Sequence, residues 1–300
     1  MTASYYGRPI LKPPVWKADI PWYFFLGGMS GAANALAFGA RRSGNEILAR
    51  RLHLLATAGV AAGPALLIHD LGRPHRFLNM LRTVKVTSPM SIGTWVLAAG
   101  GAATGTATAL DLVGRLPRVR AAAEAGAALL GLPMSTYTAA LVAQSAIPVW
   151  HEARRELPFV FAASSAASAG AAGMVVTPAA YARPARRLAV LGGLAELAAV
   201  RWMERRLGSL LAEPYHQGQA ARYAKLARAS TAMGTAVAAL VGSRRAGAAA
   251  GGALLLAGSA LERWAVFKAG FQGAQDPKYV VEPQRARLRR RDALGGRVDR

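Results

Sequence analysis

One stretch of the chain gathers residues suited to moving protons. His69-Asp70-Leu71-Gly72-Arg73-Pro74-His75-Arg76-Phe77 is followed by Met80-Leu81-Arg82, Lys85 and Thr87-Ser88-Pro89-Met90-Ser91. A carboxylate and two imidazoles thus stand in a cationic field, where neighbouring charge tunes how readily each gives up a proton. A second reading stays open: Asp70, set among Arg73, Arg76 and Arg82, would simply clamp two helix ends. Glu196 stands apart, the one acid in the otherwise uncharged run from Leu188 to Val200. An acid in such a place is costly and usually functional. It belongs either to a proton route or, protonated, to a hydrogen bond with a neighbouring helix. Asp111, Glu124 and Glu262 lie nearer the ends of apolar runs, where pairing with an arginine is expected.

The chain has no cysteine, which excludes disulfides, a thiolate nucleophile and a Cys-ligated iron–sulfur cluster. Histidine placement argues against haem. His53 and His69 share one helix but stand about 24 Å apart along it, while His75, His151 and His216 fall in loops. A membrane b-type haem needs axial ligands at matching depth.

These residues must be held by membrane helices. Hydrophobic residues make up 53% of the 300 and charged ones 17%, against roughly 25% charged in a soluble protein. The formal net charge of +22 comes from short basic clusters between long uncharged runs, the layout of a polytopic membrane protein. Eight spans are expected: Ile20–Ala40, Leu52–His69, Val86–Leu110, Ala125–His151, Leu157–Ala182, about Leu188–Val200, Ala229–Ser243 and Ala246–Phe267. Mean hydropathy is only +0.23 because Ala and Gly supply much of the apolar character. The runs Ala162–Gly173 and Ala246–Gly258 therefore read as helix–helix contact faces, where small residues let backbones approach. The resulting organisation is a surface segment at 1–19, a transmembrane domain at 20–267 and a basic tail at 268–300. Trp22, Tyr23, Phe24 and Phe25 sit where an interfacial aromatic belt belongs, and the first span is too long for a cleaved signal. Loops on the two sides carry similar numbers of Lys and Arg, and the tail, with Arg285, Arg287, Arg289, Arg290 and Arg291, tips both termini towards the cytoplasm. Ser88 is the expected N-cap of the third helix, with Pro89 at its first position.

The loop at His69–Phe77 resembles that of the NrfD/PsrC-like family, the membrane subunit of polysulfide reductase and related molybdoenzyme complexes. Three further stretches carry the resemblance. Tyr5-Tyr6-Gly7-Arg8-Pro9 with Pro13-Pro14-Val15-Trp16-Lys17 and Trp22-Tyr23-Phe24-Phe25-Leu26-Gly27-Gly28 is similar to the lead into that family's first helix. Tyr137-Thr138-Ala139 matches a Tyr-Thr-small motif in its fourth helix. Val149-Trp150-His151-Glu152-Ala153-Arg154-Arg155-Glu156-Leu157-Pro158-Phe159 is similar to the loop that follows. The likeness runs from about Tyr5 to Leu207, and the spacing of spans carries it to the eighth helix.

The resemblance implies an all-α fold of two four-helix bundles in a bacterial or archaeal cytoplasmic membrane. It also implies a quinone pocket, for menaquinone or ubiquinone, near the side that docks an iron–sulfur subunit. A further catalytic subunit, of molybdenum type, would handle the other substrate. Carried over, the pocket lies between the first, second and fourth helices, with Tyr137 as a hydrogen-bond donor. Trp16 and Asp19 stand where the family often has histidines near a tryptophan. Val15 occupies one of those places, so Asp19, Asp70 or His75 would supply the proton, with Arg73 beside them.

The leading function is thus a quinone-reactive membrane anchor, incomplete as an enzyme without its partners. A secondary transporter or channel built on Glu196 is the alternative, since Gly63-Pro64 and Gly131-Leu132-Pro133 interrupt two helices. A purely structural anchor is a third, its basic loops binding a partner or anionic membrane lipid. Nucleic acid is excluded as a partner: the Arg-rich tail has no interleaved aromatics and no folded module beside it.

Overall fold

The computed structural model describes residues 9–295, and side chains as far as Arg289. The motif at Tyr5–Arg8 and the side chains of Arg290 and Arg291 therefore lie outside the described residues. Nine helices of 18 residues or more account for most of the fold. They are α1 (Asp19–Arg42), α2 (Glu46–Asp70), α3 (Pro89–Val113), α4 (Pro117–Ala143), α5 (Leu157–Val176), α6 (Arg183–Ala212), α7 (Gly218–Val241), α8 (Arg245–Gln275) and α9 (Lys278–Gly295). Among them α2, α3, α4 and α5 are both long and apolar enough to cross a membrane. No strand occurs among the described residues.

Local chemistry explains the ends. Asn45 caps α2 by accepting the Leu48 N–H at 3.2 Å, and Ser88 caps α3 from the position expected, accepting from Ser91 N–H with Pro89 next to it. Asp19 opens α1 and Arg41 and Arg42 close it, each sign matched to the helix dipole. Two expected spans end early. The fourth stops at Ala143, and Pro148–His151 forms a separate short helix. The fifth stops at Val176 because Pro178 forces Thr177 into extended backbone (φ −108°, ψ 141°). Others run longer than their uncharged cores. α6 reaches from Arg183 to Ala212, since arginines at its ends can sit at the level of lipid headgroups while the helix continues.

Packing is set by small residues. The α1–α4 crossing brings Gly31 and Gly131 back to back: a Cβ on either would strike the other's backbone. Gly192 lies on the backbone of Ala167, Gly170 on that of Ala189, and Gly258 on Thr231. The Ala162–Gly173 run is indeed a contact face, its residues from Ala167 to Gly173 all buried. α1 packs on α2, α4 and α5, α3 on α2 and α4, α8 on α7 and α5, and α6 on α5 and α7. Helices alternate in direction, so both described ends of the chain share one end of the helix array, called here the terminal end. The core there is aromatic, with Tyr23, Phe24, Trp150, Phe161, Tyr215 and Phe267. At the opposite end it is alanine-rich, with Ala33, Ala37, Ala49, Ala56 and Ala171.

Candidate functional site

The terminal end collects the distinctive motifs because α1 begins there while α2 and α4 finish there. The segment before α1 is strapped down by two contacts. Lys17 N–H donates to Asp70 Oδ1 at 2.8 Å, and the Trp16 ring stacks on Trp150 with centroids 5.7 Å apart. Trp150 itself is fully buried, its Nε1–H donating to Val266 O at 2.7 Å. Trp150 and His151 are positioned by the short Pro148–His151 helix, where His151 Nδ1–H donates to Ala143 O at 3.0 Å. Arg206 on α6 ties that region to the rest: it pairs with the buried Glu156 and donates to Glu152 O at 2.9 Å.

Asp19 meets His69, Oδ2 to Nδ1 at 3.0 Å. The pair stands at the mouth of a groove of about 550 Å³ between α1 and α2, lined below by Trp22, Leu26, Ala62, Ala65 and Leu66. The structure thus joins Trp16, Asp19 and Asp70 around the α1–α2 end. Asp70 is engaged with backbone and makes no ion pair with Arg73, Arg76 or Arg82 among the described residues, so the clamp reading describes its contacts. Arg73 and His75 are exposed on the following loop. Tyr137 is half-buried and lies instead against α3, its ring filling the space over Gly93.

His69 was legible only as part of a motif. Its pairing with Asp19, 50 residues away, follows from α1 and α2 being nearly equal in length and joined by a three-residue turn, which aligns the start of one with the end of the other.

Two buried polar clusters lie elsewhere. At the opposite end, Arg41 pairs with Asp111 at 2.9 Å and Glu124 at 3.0 Å, and Arg120 with Asp111 at 2.8 Å. The arginine pairing expected for those two acids is present. His53 is buried beside them, its Nε2 3.7 Å from Glu124. The second cluster corrects an expectation. Because α8 continues to Gln275, Glu262 and Arg263 sit well inside the helix, both almost fully buried, and Glu262 makes no ion pair among the described residues. Glu196 accepts hydrogen bonds from Thr231 and Ser259, each at 3.3 Å. Arg263 donates to Phe161 O at 2.9 Å and lies 3.8 Å over the Phe161 ring.

Among the groups outside the long apolar helices, the Lys278 hydrogen bond holds the Glu213 carboxyl below the usual carboxylate range. Glu213 in turn raises Lys278. Burial raises the phenol of Tyr215, and the Glu262 and Glu204 carboxylates push it the same way.

The family model for polysulphide reductase NrfD matches residues 11–271. The chain belongs to this family. No curated protein matches it. The NrfD match spans all eight long helices from α1 to α8 except the last residues of α8, and it includes the strap at Trp16–Lys17, the Asp19–His69 pair and the Glu196 cluster.

Proposed function

We propose that this NrfD subunit is the quinone-reactive membrane part of an oxidoreductase complex. It would exchange electrons and protons between a membrane quinone and a partner iron–sulfur subunit, with a molybdenum-type subunit completing the reaction. Its eight long helices span the cytoplasmic membrane as two four-helix bundles, α1–α4 and α5–α8. The pairwise packing of α1 with α2 and α4, and of α8 with α5 and α7, supports that grouping.

The observation that carries the reading is the hydrogen-bonded Asp19–His69 pair at the mouth of an apolar groove. Its parts fit a quinone: a greasy slot for an isoprenoid tail and a proton-handling pair where a polar ring would stop. When bound, the quinone supplies two-electron, two-proton redox chemistry, as menaquinone or ubiquinone. Asp19 accepts from His69 Nδ1–H, which leaves Nε2 free to hold or release a proton towards the groove. Trp22 and Leu66 keep water from the slot below. Asp70 holds Lys17 and with it Trp16 over the site, while Arg73 and His75 keep the loop cationic where an electron-carrying partner docks. Tyr137 offers a phenolic donor from the α3–α4 side. In α5–α8, Glu196 handles protons.

The test is binding of a quinone analogue to the full-length chain in lipid nanodiscs, followed by quenching of tryptophan fluorescence. Asp19→Asn and His69→Phe should each weaken binding about tenfold, the worth of one charge-assisted hydrogen bond. The lone chain should bind the analogue yet turn over no substrate. Unchanged affinity in both variants would remove the groove from the mechanism.

A further inference from the structure

Glu196 and Glu262 come from different helices, α6 and α8, and share one guanidinium, that of Arg263. All three are nearly inaccessible, at 2%, 2% and 1% exposure. The faces packed on them add no further charge: α5 contributes Ser164, Ser165 and Ser168, and α7 contributes Thr231 and Thr235 at that level. Two ionised carboxylates against one guanidinium would leave a net negative charge in an apolar interior, at a cost of several kcal/mol. One proton on the pair removes that charge. Thr231 and Ser259 donate to Glu196 and so favour its ionised form, which leaves the proton for Glu262, the carboxyl without such donors.

A way out leads towards the terminal end. The Tyr215 hydroxyl is buried and has no hydrogen-bond partner among the described residues, and it lies within the fields of both Glu262 and Glu204. Glu204 is held by Arg228 at 2.8 Å and lies 3.6 Å from His216 Nε2. Glu204 and His216 line an open cavity of about 360 Å³ with Arg201, Arg205 and Ser209, beside Gly208. Gly208 leaves the helical conformation (φ 72°, ψ 178°), breaking α6 at that point and opening the backbone beside the cavity.

We propose that Glu196 and Glu262 hold one exchangeable proton between them and pass it to the terminal-end surface through Tyr215 and Glu204. This rests on the assignment of proton handling to Glu196 and names its site, its second carboxyl and its exit. In the transfer, the protonated Glu262 carboxyl gives its proton to the Tyr215 oxygen as the Tyr215 hydroxyl gives its own to the Glu204 carboxylate. One proton moves and Tyr215 stays neutral, as its raised phenol requires. Glu204 then releases the proton to His216 and bulk water in the open cavity, and the hydroxyl rotates back.

The experiment is infrared spectroscopy of the full-length, quinone-free chain in lipid nanodiscs, before and after transfer to D2O. The wild type should show a protonated-carboxyl stretch that shifts on exchange. Glu262→Gln should remove it and Glu196→Gln should displace it. Tyr215→Phe, which deletes an oxygen that makes no hydrogen bond in the fold, should keep the band and slow its exchange at least about tenfold. Asp19→Asn, which tests the quinone groove, should alter neither, so failure of the two assignments can be told apart. A band indifferent to both Glu262→Gln and Glu196→Gln, or one that exchanges at the wild-type rate in Tyr215→Phe, overturns the proposal.

Discussion

Gly270 on α8 lies directly against the Trp150 indole, so a methyl group there would fall well inside van der Waals contact with three of its ring atoms. In Gly270→Ala the ring must retreat by more than an ångström, and Trp150 is fully buried with little room to do so. Three losses follow. The Nε1–H bond to Val266 O, 2.7 Å in the native fold, is worth about 0.5–1.5 kcal/mol. The stack with Trp16 contributes roughly 0.5–1.5 kcal/mol, and crowding itself costs about 1–3 kcal/mol. Because one ring movement causes all three, they overlap, and a net loss of about 2–5 kcal/mol is expected. The same movement frees Trp16, so the strap over the Asp19–His69 pair loosens. Thermal unfolding of the full-length chain in detergent, read by gel filtration, should show a clearly lowered midpoint, and near-ultraviolet circular dichroism should lose the stacked-tryptophan signal. Gly39→Ala and Gly101→Ala are the controls: nothing lies within 4 Å of a Cβ at either position, and alanine favours helix by up to about 1 kcal/mol. A Gly270→Ala protein with native midpoint and native near-ultraviolet spectrum would refute the packing argument.

Arg41→Ala should destabilise the chain by about 3–5 kcal/mol, because it strands the buried Asp111 and Glu124 carboxylates; detergent melting is the measure, and Arg41→Lys should recover only part. Gly31→Leu should separate α1 from α4 at their backbone contact, reducing the yield of folded protein more than Gly39→Leu does. The Lys278–Glu213 contact at 2.8 Å docks the start of α9 and sets a pH window. The depressed Glu213 carboxyl contributes above its unfolded value and is lost as pH falls through the lower folded one. The raised Lys278 contributes below its unfolded value and is lost only as pH rises through the higher folded one. Protease cleavage after Asp276 should therefore stay slow through neutral pH, quicken only in acid or strong alkali, and quicken at neutral pH in Lys278→Ala.

Much of the fold was legible because apolar runs between basic clusters leave few alternatives to membrane helices. The eight runs each fall within a long helix or overlap one, and the Ser88-Pro89 start of α3 was readable from two residues. Helix ends were harder. Uncharged length marks what lipid tolerates, whereas the helix itself ends where hydrogen bonds, proline or a glycine break it, so α6 and α8 run beyond their uncharged cores and α4 and α5 stop short of theirs. In the candidate site, Trp16, Asp19 and Asp70 converge as a group, while Tyr137 sits against Gly93 and Arg73 and His75 remain exposed.

The sequence by itself determined the family, the helical class and the absence of any cysteine-based centre, because composition and local motifs are properties of short stretches. Tertiary structure alone decided which polar groups meet. Asp19 finds His69 across 50 residues, Arg41 finds Asp111 and Glu124, and Glu196, Glu262 and Arg263 share one interior. The physical reason is rotation. A helix side chain's neighbours depend on the angle at which its helix presents it, and that angle is set where glycine and alanine let two backbones touch, at contacts such as Gly31 on Gly131.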